Sequence, residues 1–331
     1  MKGSFFLILI ILSFNVSATK LSGKVSNEKG EALSFASVYL KGTSLGTTCN
    51  VDGIYSLDLD PGKYTIVAQY IGLGKKEILI EIKNEAIVQN FILSNGTNAI
   101  KEVKIKSGEN PAIRIIKQTI KKRTYYNKLI DSFQAKAYIK GNIKLIDVNT
   151  SPLFYKMMAM NDKEKSSEEL QKELEEQKGI IFLSESYTKV TYKKPKKLKV
   201  DILSTKVSGS DNSYGFSQPL FINFYENNVS LGEQINPRGY ISPIADGALL
   251  VYDYKFLRSY FDGNKEINEI LVTPKRKFES TFNGIIHIIE DEWRLYSIDL
   301  KVDKNSQLDI LDTIRVKQII VPVDDIWIVK D

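Results

Sequence analysis

The strongest constraint on the fold is the regular alternation of short apolar runs and turn residues over residues 21–94. Gly, Asn or Asp separates the runs at the spacing of about 8–12 residues that is typical of all-β domains. Tyr55, Leu57 and Leu59 alternate with polar neighbours, which predicts a strand with one buried face. The segment therefore predicts a small β-sandwich.

Details within this segment support the same fold. Residues 64–71 are more continuously apolar, and we expect them to form a central strand. Turns are predicted at Asp52 and Gly53 and at residues 60–62 (DPG), because Gly tolerates positive φ and Pro fixes its own φ.

A series of motifs in this region resembles the carboxypeptidase-like regulatory domain. In chain order they are 23–26 (GKVS), 36–43 (ASVYLKGT), 46–48 (GTT), 52–57 (DGIYSL), 61–64 (PGKY) and 70–72 (YIG). The resemblance implies a seven-stranded transthyretin-like sandwich over residues 19–96, of a kind often placed at the periplasmic N-terminus of outer-membrane proteins. That module is an accessory domain of carboxypeptidases and is not itself the peptidase.

The first 18 residues have the pattern of a secretory signal peptide. Lys2 supplies a positive charge, residues 5–14 are apolar apart from Ser13, and residues 16–18 (VSA) offer a cleavage site. We expect the mature chain to begin near Thr19 and to be exported to the periplasm, in association with the outer membrane. The alternatives are a buried N-terminal strand and an uncleaved anchor.

Residues 97–130 are predicted to form a linker followed by an amphipathic helix. Residues 100–105 are compatible with one more strand. Asn110 is suited to capping the helix, with Pro111 at its first position. Ile113, Ile116 and Ile120 recur at helical spacing, so we expect this stripe to dock on the second domain.

The same region is strongly basic. Residues 101–144 contain 12 Lys and Arg but 3 Asp and Glu. Lys117, Lys121, Lys122 and Arg123 are expected mostly on the faces that the isoleucines leave free. Two interpretations stay open: a solvated basic face, and a surface for anionic lipid. Export argues against nucleic acid as a partner.

Residues 131–331 are predicted to form a second β-rich domain of α+β type. Apolar and polar residues alternate over 133–140, and strands are expected at 284–289, 294–302 and 310–321. Residues 162–178 are predicted to be a solvated helical insertion, because their pattern offers little apolar surface to anchor them.

This second region resembles a domain of unknown function that follows the regulatory domain in a family of envelope proteins. The matching motifs are 109–112 (ENPA), 115–116 (II), 138–141 (YIKG), 183–186 (LSES), 242–245 (SPIA), 252–254 (YDY), 274–277 (PKRK), 282–284 (FNG), Trp293 and 318–322 (QIIVP). Members usually continue into an outer-membrane β-barrel. The sequence ends at Asp331, where the resemblance implies that the barrel would begin. We therefore expect either a truncated member of the family or a periplasmic piece that works without the barrel.

The composition excludes several chemistries. The chain of 331 residues has one Cys and one His, so it cannot form an intramolecular disulfide, a Cys-based zinc site or a two-His metal site. His287 and Glu290 have the H-x-x-E spacing of zinc carboxypeptidases. In a strand, however, these positions face opposite sides, and we predict a packed strand histidine.

The other chemistry-bearing residues are also interpreted structurally. Cys49 is expected to be a buried or turn-adjacent thiol, since no base lies near it in the sequence. Asn50, Asp52 and Asp58 do not have the spacing of a calcium loop and predict a β-turn. Residues 184–186 (SES) lack the glycines of a nucleophile elbow.

Residues 193–199 (KKPKKLK) form a lysine-rich run. We expect an exposed edge or loop that resists strand addition, with contact to acidic headgroups of the outer membrane as the alternative.

The sequence thus predicts a non-enzymatic cell-envelope protein with no catalytic, cofactor-binding or metal-binding residues. It would be the periplasmic portion of an outer-membrane β-barrel protein, or accessory to one. The alternative is a periplasmic binding module for carbohydrate, peptide or lipid, lined by aromatics such as Phe221, Phe224 and Tyr225. A hydrolase or carboxypeptidase is the third and least favoured class. An envelope protein and an anionic lipid surface are the expected partners.

Overall fold

The computed structural model describes residues 19–94, 110–145, 179–194, 197–207, 222–232, 235–308, 313–323 and 326–329. The chain divides into two compact units. One comprises Met1–Glu102, Ser259–Ile267 and Gln318–Asp331, and the other comprises Val103–Arg258 and Asn268–Lys317. The predicted signal peptide, the expected strand at 100–105 and the predicted helical insertion at 162–178 lie outside the described residues.

The first unit contains the predicted sandwich. Its strands are β1 (Thr19–Asn27), β2 (Ser37–Leu40), β3 (Gly46–Thr48), β4 (Ile54–Leu59), β5 (Gly62–Gln69), β6 (Lys76–Ile82), β7 (Ile87–Val88) and β8 (Phe91–Leu93). One sheet has the order β3-β2-β5-β6, and in the other β1 pairs with β4, β7 and β8. Because β7 and β8 both run parallel to β1 and only Gln89 and Asn90 separate them, they act as one interrupted strand. The sandwich thus has the seven strands expected.

The core of the sandwich follows the alternation seen in the sequence. Tyr55, Leu57 and Leu59 on β4 are buried, while their neighbours on the strand are exposed. Strand β5 lies between β2 and β6, which confirms the predicted central strand. In the same unit, Tyr39 and Val67 form a second, smaller cluster with Ile319 and Val321.

From Pro111 onward the chain is again mainly β, as predicted. The elements are α1 (Pro111–Lys128), β9 (Ser132–Leu145), β10 (Gly179–Lys193), β11 (Lys197–Val207), β12 (Asn228–Val229), β13 (Tyr240–Ile241), α2 (Ala248–Val251), β14 (Tyr252–Asp262), β15 (Lys265–Pro274), β16 (Asn283–Ile289), β17 (Arg294–Asp303), a 3₁₀ turn (Lys304–Ser306), β18 (Thr313–Val323) and β19 (Ile326–Val329). Strands β9, β16, β17 and β18 confirm the four strands expected in this region.

Two sheets carry the polar and charged groups of interest. Strands β9, β10 and β11 form an antiparallel sheet with β10 in the middle. Strands β14 to β19 form a six-stranded sheet whose order follows the chain.

Helix α1 begins as the sequence predicts, but it buries a different face. Asn110 caps it by accepting a hydrogen bond from the Ala112 backbone N–H, and Pro111 occupies the first turn. The buried residues are Ala112, Ile115, Ile116, Thr119 and Arg123. Of the predicted isoleucine stripe, Ile116 alone is fully buried, whereas Ile113 and Ile120 are half-buried. None of the helices in the described ranges is long and apolar enough to cross a membrane.

The placement of Arg123 corrects the sequence prediction. The prediction put it on the solvated basic face, whereas its side chain is 8% exposed. Its guanidinium donates to the Tyr225 carbonyl and to the carboxylate of Asp246, which is itself 67% exposed, so the buried stripe can include a charged residue. Lys117, Lys121 and Lys122 are exposed, as expected.

Candidate functional site

A row of polar side chains crosses four neighbouring strands of the six-stranded sheet. Arg258 Nε on β14 donates to Glu269 Oε2 on β15 at 2.9 Å. The same oxygen lies 3.5 Å from His287 Nε2 on β16. His287 Nδ1 is 3.0 Å from Ser297 Oγ on β17, its antiparallel neighbour in the register. We refer to these four residues as the polar ladder.

Burial and neighbouring charges shift the pKa of Glu269 in opposite directions. Burial by itself raises the pKa of a carboxyl group, because the charged form loses hydration. The hydrogen bond and charge of His287, followed by those of Arg258, outweigh this effect and hold the pKa of Glu269 below its ordinary value. Glu269 is therefore an anion at neutral pH, held between two basic side chains.

The order Ser297, His287, Glu269 resembles a hydrolytic triad, but the surroundings do not suit one. A nucleophilic Ser must reach a substrate carbonyl, and both Ser297 and His287 are 1% exposed. Arg258 also binds the carboxylate that would have to stabilise a protonated His. The arrangement is suited to linking four strands by polar contacts, of which the Arg258–Glu269 hydrogen bond is charge-assisted.

Glu290 has its own partners and does not join His287. Its carboxylate accepts hydrogen bonds from Arg114 at 2.8 Å and from Asn268 at 2.6 Å. The Arg114 guanidinium lies 5.2 Å from the centre of the Trp293 ring. Glu290 therefore holds helix α1 against the β16–β17 turn, while His287 contacts Ser297 and Glu269 within the sheet.

The end of helix α1 is held by a second polar group. Arg123 donates to the Tyr225 carbonyl and to Asp246, each at 2.7 Å. The Tyr225 hydroxyl accepts a hydrogen bond from the Leu295 backbone N–H at 3.1 Å. Burial raises the pKa of Tyr225, so its hydroxyl stays protonated.

Of the three residues weighed as a calcium loop, Asn50 and Asp52 form the predicted turn, whereas Asp58 lies on strand β4. Asn50 Oδ1 accepts hydrogen bonds from the backbone N–H groups of Asp52 at 3.0 Å and Ile54 at 2.9 Å. Gly53 donates to the Asn50 carbonyl and has φ 75°. Among the described residues, no group of three or more His, Cys, Asp or Glu side chains is placed to hold a metal ion. Cys49 is buried in the sandwich core.

The remaining candidates from the sequence are also packed. Ser186 is buried on β10, and the side chains of Ser184 and Glu185 lie outside those described. Phe224 is 3% exposed and packs on Phe282 with ring centres 5.1 Å apart. Phe221 lies outside the described residues. Phe224 thus belongs to a packed cluster, and the half-buried Tyr225 packs its ring against that of Tyr126, with ring centres 5.7 Å apart.

The lysine-rich run forms part of a larger basic surface on the β9–β10–β11 sheet. Lys136 on β9 lies directly opposite Lys189 on β10, and Lys193 on β10 lies directly opposite Lys197 on β11. Lys199 is on the same side of the sheet, two residues after Lys197. All five lysines are exposed, and we call them the lysine face.

No signal in the sequence indicated these groupings. The partners of His287 and the lysine opposite Lys136 come from distant strands, and only the strand register brings them together. Alternation did indicate which residues share a side of one strand, but it does not specify the neighbouring strand.

Comparison with known proteins identifies two regions. Residues 115–331 match a family of unknown function, DUF5686, and residues 21–105 match the CarboxypepD_reg-like domain. Both matches confirm the domain order expected from the resemblance. The TonB-dependent receptor P39 of Formosa agariphila is 29% identical over 117 residues, which are 34% of this chain and 11% of the receptor. The chain thus spans about a tenth of the length of that relative.

Solved structures show only distant likeness. One chain of a type II cohesin–X-dockerin complex from Acetivibrio cellulolyticus is similar to this protein at 15% identity and TM-score 0.21. The match covers 30% of this chain and 71% of that chain. A DUF3823 family protein from Bacteroides ovatus matches 78% of this chain and 92% of its own, at 11% identity and TM-score 0.20. Scores this low do not establish a shared fold.

Proposed function

Because the chain belongs to the DUF5686 family and carries a CarboxypepD_reg-like domain in front of it, we propose that it is a non-enzymatic protein of the cell envelope. In this proposal it is the periplasmic portion of an outer-membrane β-barrel protein, or an accessory to one. The observation that carries the proposal is the order of the two domains behind a signal-peptide pattern. The identity shared with a TonB-dependent receptor supports it.

The environment of His287 supports the non-enzymatic part of the proposal. It is the only His of the chain, and its two ring nitrogens face Ser297 and Glu269 in the buried polar ladder. General acid–base chemistry needs a side chain within reach of a substrate, and burial denies this residue that role.

Cell fractionation tests the location. We expect a C-terminally tagged chain to begin near Thr19 and to sediment with the outer membrane. A variant with Leu9→Arg and Ile10→Arg, which interrupts the apolar stretch, should keep Met1 and stay in the cytosol. An alkaline carbonate wash should release an accessory protein but not an integral one. An intact Met1 on the unaltered chain in the cytosol would contradict the proposal.

A zinc and peptidase assay tests the absence of catalysis. We expect the purified mature chain to hydrolyse no peptide and to keep its unfolding temperature in the presence of a metal chelator. Stoichiometric zinc that is lost together with peptide hydrolysis in His287→Ala would overturn this part of the proposal.

A further inference from the structure

The lysine face contains charge repulsion that the fold relieves only in part. In an antiparallel sheet the Cβ atoms of directly opposite residues are ~4.5–5.5 Å apart, and like charges there destabilise the sheet. This register pairs Lys136 with Lys189 and Lys193 with Lys197. An anion bound at these two cross-strand pairs of equal sign would therefore stabilise the sheet.

Among the side chains that the structure describes, little negative charge lies on the same side of the sheet. Among the side chains described there, the carboxylate is that of Asp201, which lies opposite Lys189 in the register and 3.0 Å from Lys199 Nζ. The other positions on this side are filled by neutral residues such as Gln134 and Thr191, which lie opposite one another. A single carboxylate cannot neutralise the lysines, so the described part of the face is positive over all three strands.

The type of the basic residues indicates the kind of anion. The positive side chains described on this side of the sheet are all lysines and include no arginine. The compact charge of a lysine suits many separate phosphates, whereas arginine suits bidentate recognition of one carboxylate or phosphate. The lysines stand on a sheet surface and not in a cleft, so they present charge to an extended surface. Tyr187 lies on the same side and is 42% exposed, and its amphipathic ring is suited to the headgroup level of a bilayer.

We propose that the lysine face is a peripheral binding surface for phosphate headgroups of an anionic membrane leaflet. The choice of a membrane as the anion rests on the proposed location in the envelope. Attraction to the phosphates would offset the repulsion between opposed lysines, so the sheet and the membrane stabilise one another. The contact is electrostatic, and it is reversed by salt.

Vesicle co-sedimentation of the full mature chain tests this assignment. The vesicles contain phosphatidylcholine with about one third phosphatidylglycerol, and vesicles of phosphatidylcholine alone serve as reference. The test variant changes Lys136, Lys189, Lys193 and Lys197 to Gln. The matched control changes four exposed lysines of the first unit, Lys20, Lys24, Lys29 and Lys76, to Gln. Both variants lose the same net charge.

The unaltered chain should bind the anionic vesicles alone and dissociate in 1 M salt, where the screening length is ~3 Å. Each lysine near an anionic surface is worth about fivefold in affinity, so the test variant should lose roughly 100-fold or more. The control should keep most of its affinity. Equal loss in both variants would show that net charge alone is responsible, and would overturn the proposal.

A charge reversal separates binding from folding. Lys136→Glu with Lys193→Glu creates two cross-strand ion pairs, so the midpoint of urea unfolding should stay the same or rise while vesicle binding falls. A loss of folding in this variant would contradict the repulsion on which the proposal rests.

Binding to polyglutamate tests the kind of anion. If the unaltered chain bound polyglutamate as tightly as the anionic vesicles at the same salt concentration, the face would be assigned to an acidic protein and the lipid assignment would be wrong. If the unaltered chain does not bind the anionic vesicles, the lipid assignment is wrong. The proposed function is tested separately by the cell fractionation and does not depend on this result.

Discussion

The Arg123 guanidinium lies 2.7 Å from an oxygen of the Asp246 carboxylate, although the exposure of the two side chains is very different. Arg123 is 8% exposed, whereas Asp246 is 67% exposed. Hydrogen bonds from Asn227 and Arg123 hold the pKa of Asp246 below its ordinary value. The helix thus directs a positive charge inward to a carboxylate whose other side is in water.

We expect Arg123→Met to lower the free energy of unfolding by ~1–3 kcal/mol, because it leaves the Tyr225 carbonyl without its buried donor. Asp246→Asn should cost under ~1 kcal/mol, since an ion pair with one exposed partner is weak. Urea unfolding measures both. Lys121→Met, at an exposed position of the same helix, is the control and should change stability by less than about 0.5 kcal/mol. Equal effects at positions 123 and 121 would contradict the buried role of Arg123.

Two isoleucines of helix α1 distinguish the buried face from its edge. Ile116 is fully buried, so Ile116→Ala should cost ~2–5 kcal/mol through lost contacts and the cavity left behind. Ile113 is half-buried, and Ile113→Ala should cost clearly less. The comparison uses the same substitution on one helix, so helix propensity cancels. If Ile113→Ala were the more damaging change, the helix would be rotated relative to the structure.

The polar ladder predicts a dependence of stability on pH. Because the pKa of Glu269 is lowered in the folded chain, its anion stabilises the fold at neutral pH. This contribution is present above the unfolded pKa and is lost as the pH falls through the folded pKa, in the acid range below about pH 4.5. Glu269→Gln should therefore be less stable at pH 7, and its difference from the unaltered chain should shrink towards pH 3.

Unfolding in urea at a series of pH values measures this effect. Asp253→Asn, which removes a carboxylate that is 73% exposed, is the control and should leave the pH profile nearly unchanged. A difference between Glu269→Gln and the unaltered chain that stays constant from pH 7 to pH 3 would mean that Glu269 is not stabilised as an anion.

Gly23 belongs to the first motif of the regulatory domain, and the structure explains why a glycine is needed there. A Cβ at this position would lie 1.8 Å from the Gln89 carbonyl oxygen, which belongs to the backbone and cannot move aside cheaply. Gly23→Ala should thus cost ~2 kcal/mol or more.

Gly30 provides the matched control for this substitution. It has φ +80° but nothing within 4 Å of an added Cβ, so Gly30→Ala should cost only the ~1–2 kcal/mol of a left-handed backbone. Thermal unfolding of the two variants compares them directly. A smaller loss for Gly23→Ala than for Gly30→Ala would contradict the close approach of β1 to the β7–β8 connection.

Signals within a few residues were sufficient to predict the elements. Period-two alternation indicated β4 and β9, a continuous apolar run indicated β5, and Asn110 with Pro111 marked the start of α1. These features act through local backbone preference and through the need of one strand face to be buried. For the same reason the Asn50–Gly53 turn could be predicted, since its hydrogen bonds lie within the turn itself.

The tertiary structure decided which of these elements meet, and with that the polar ladder and the lysine face. No local preference pairs Lys136 with Lys189 or sets His287 between Glu269 and Ser297, because register depends on the contacts of whole strands. Arg123 shows the same limit on a helix. Its sequence neighbours are solvated lysines, and it is buried because the Tyr225 carbonyl, 102 residues away, accepts its hydrogen bond. The cost of burying a charge is set by the partner it finds, and that partner exists only in the folded chain.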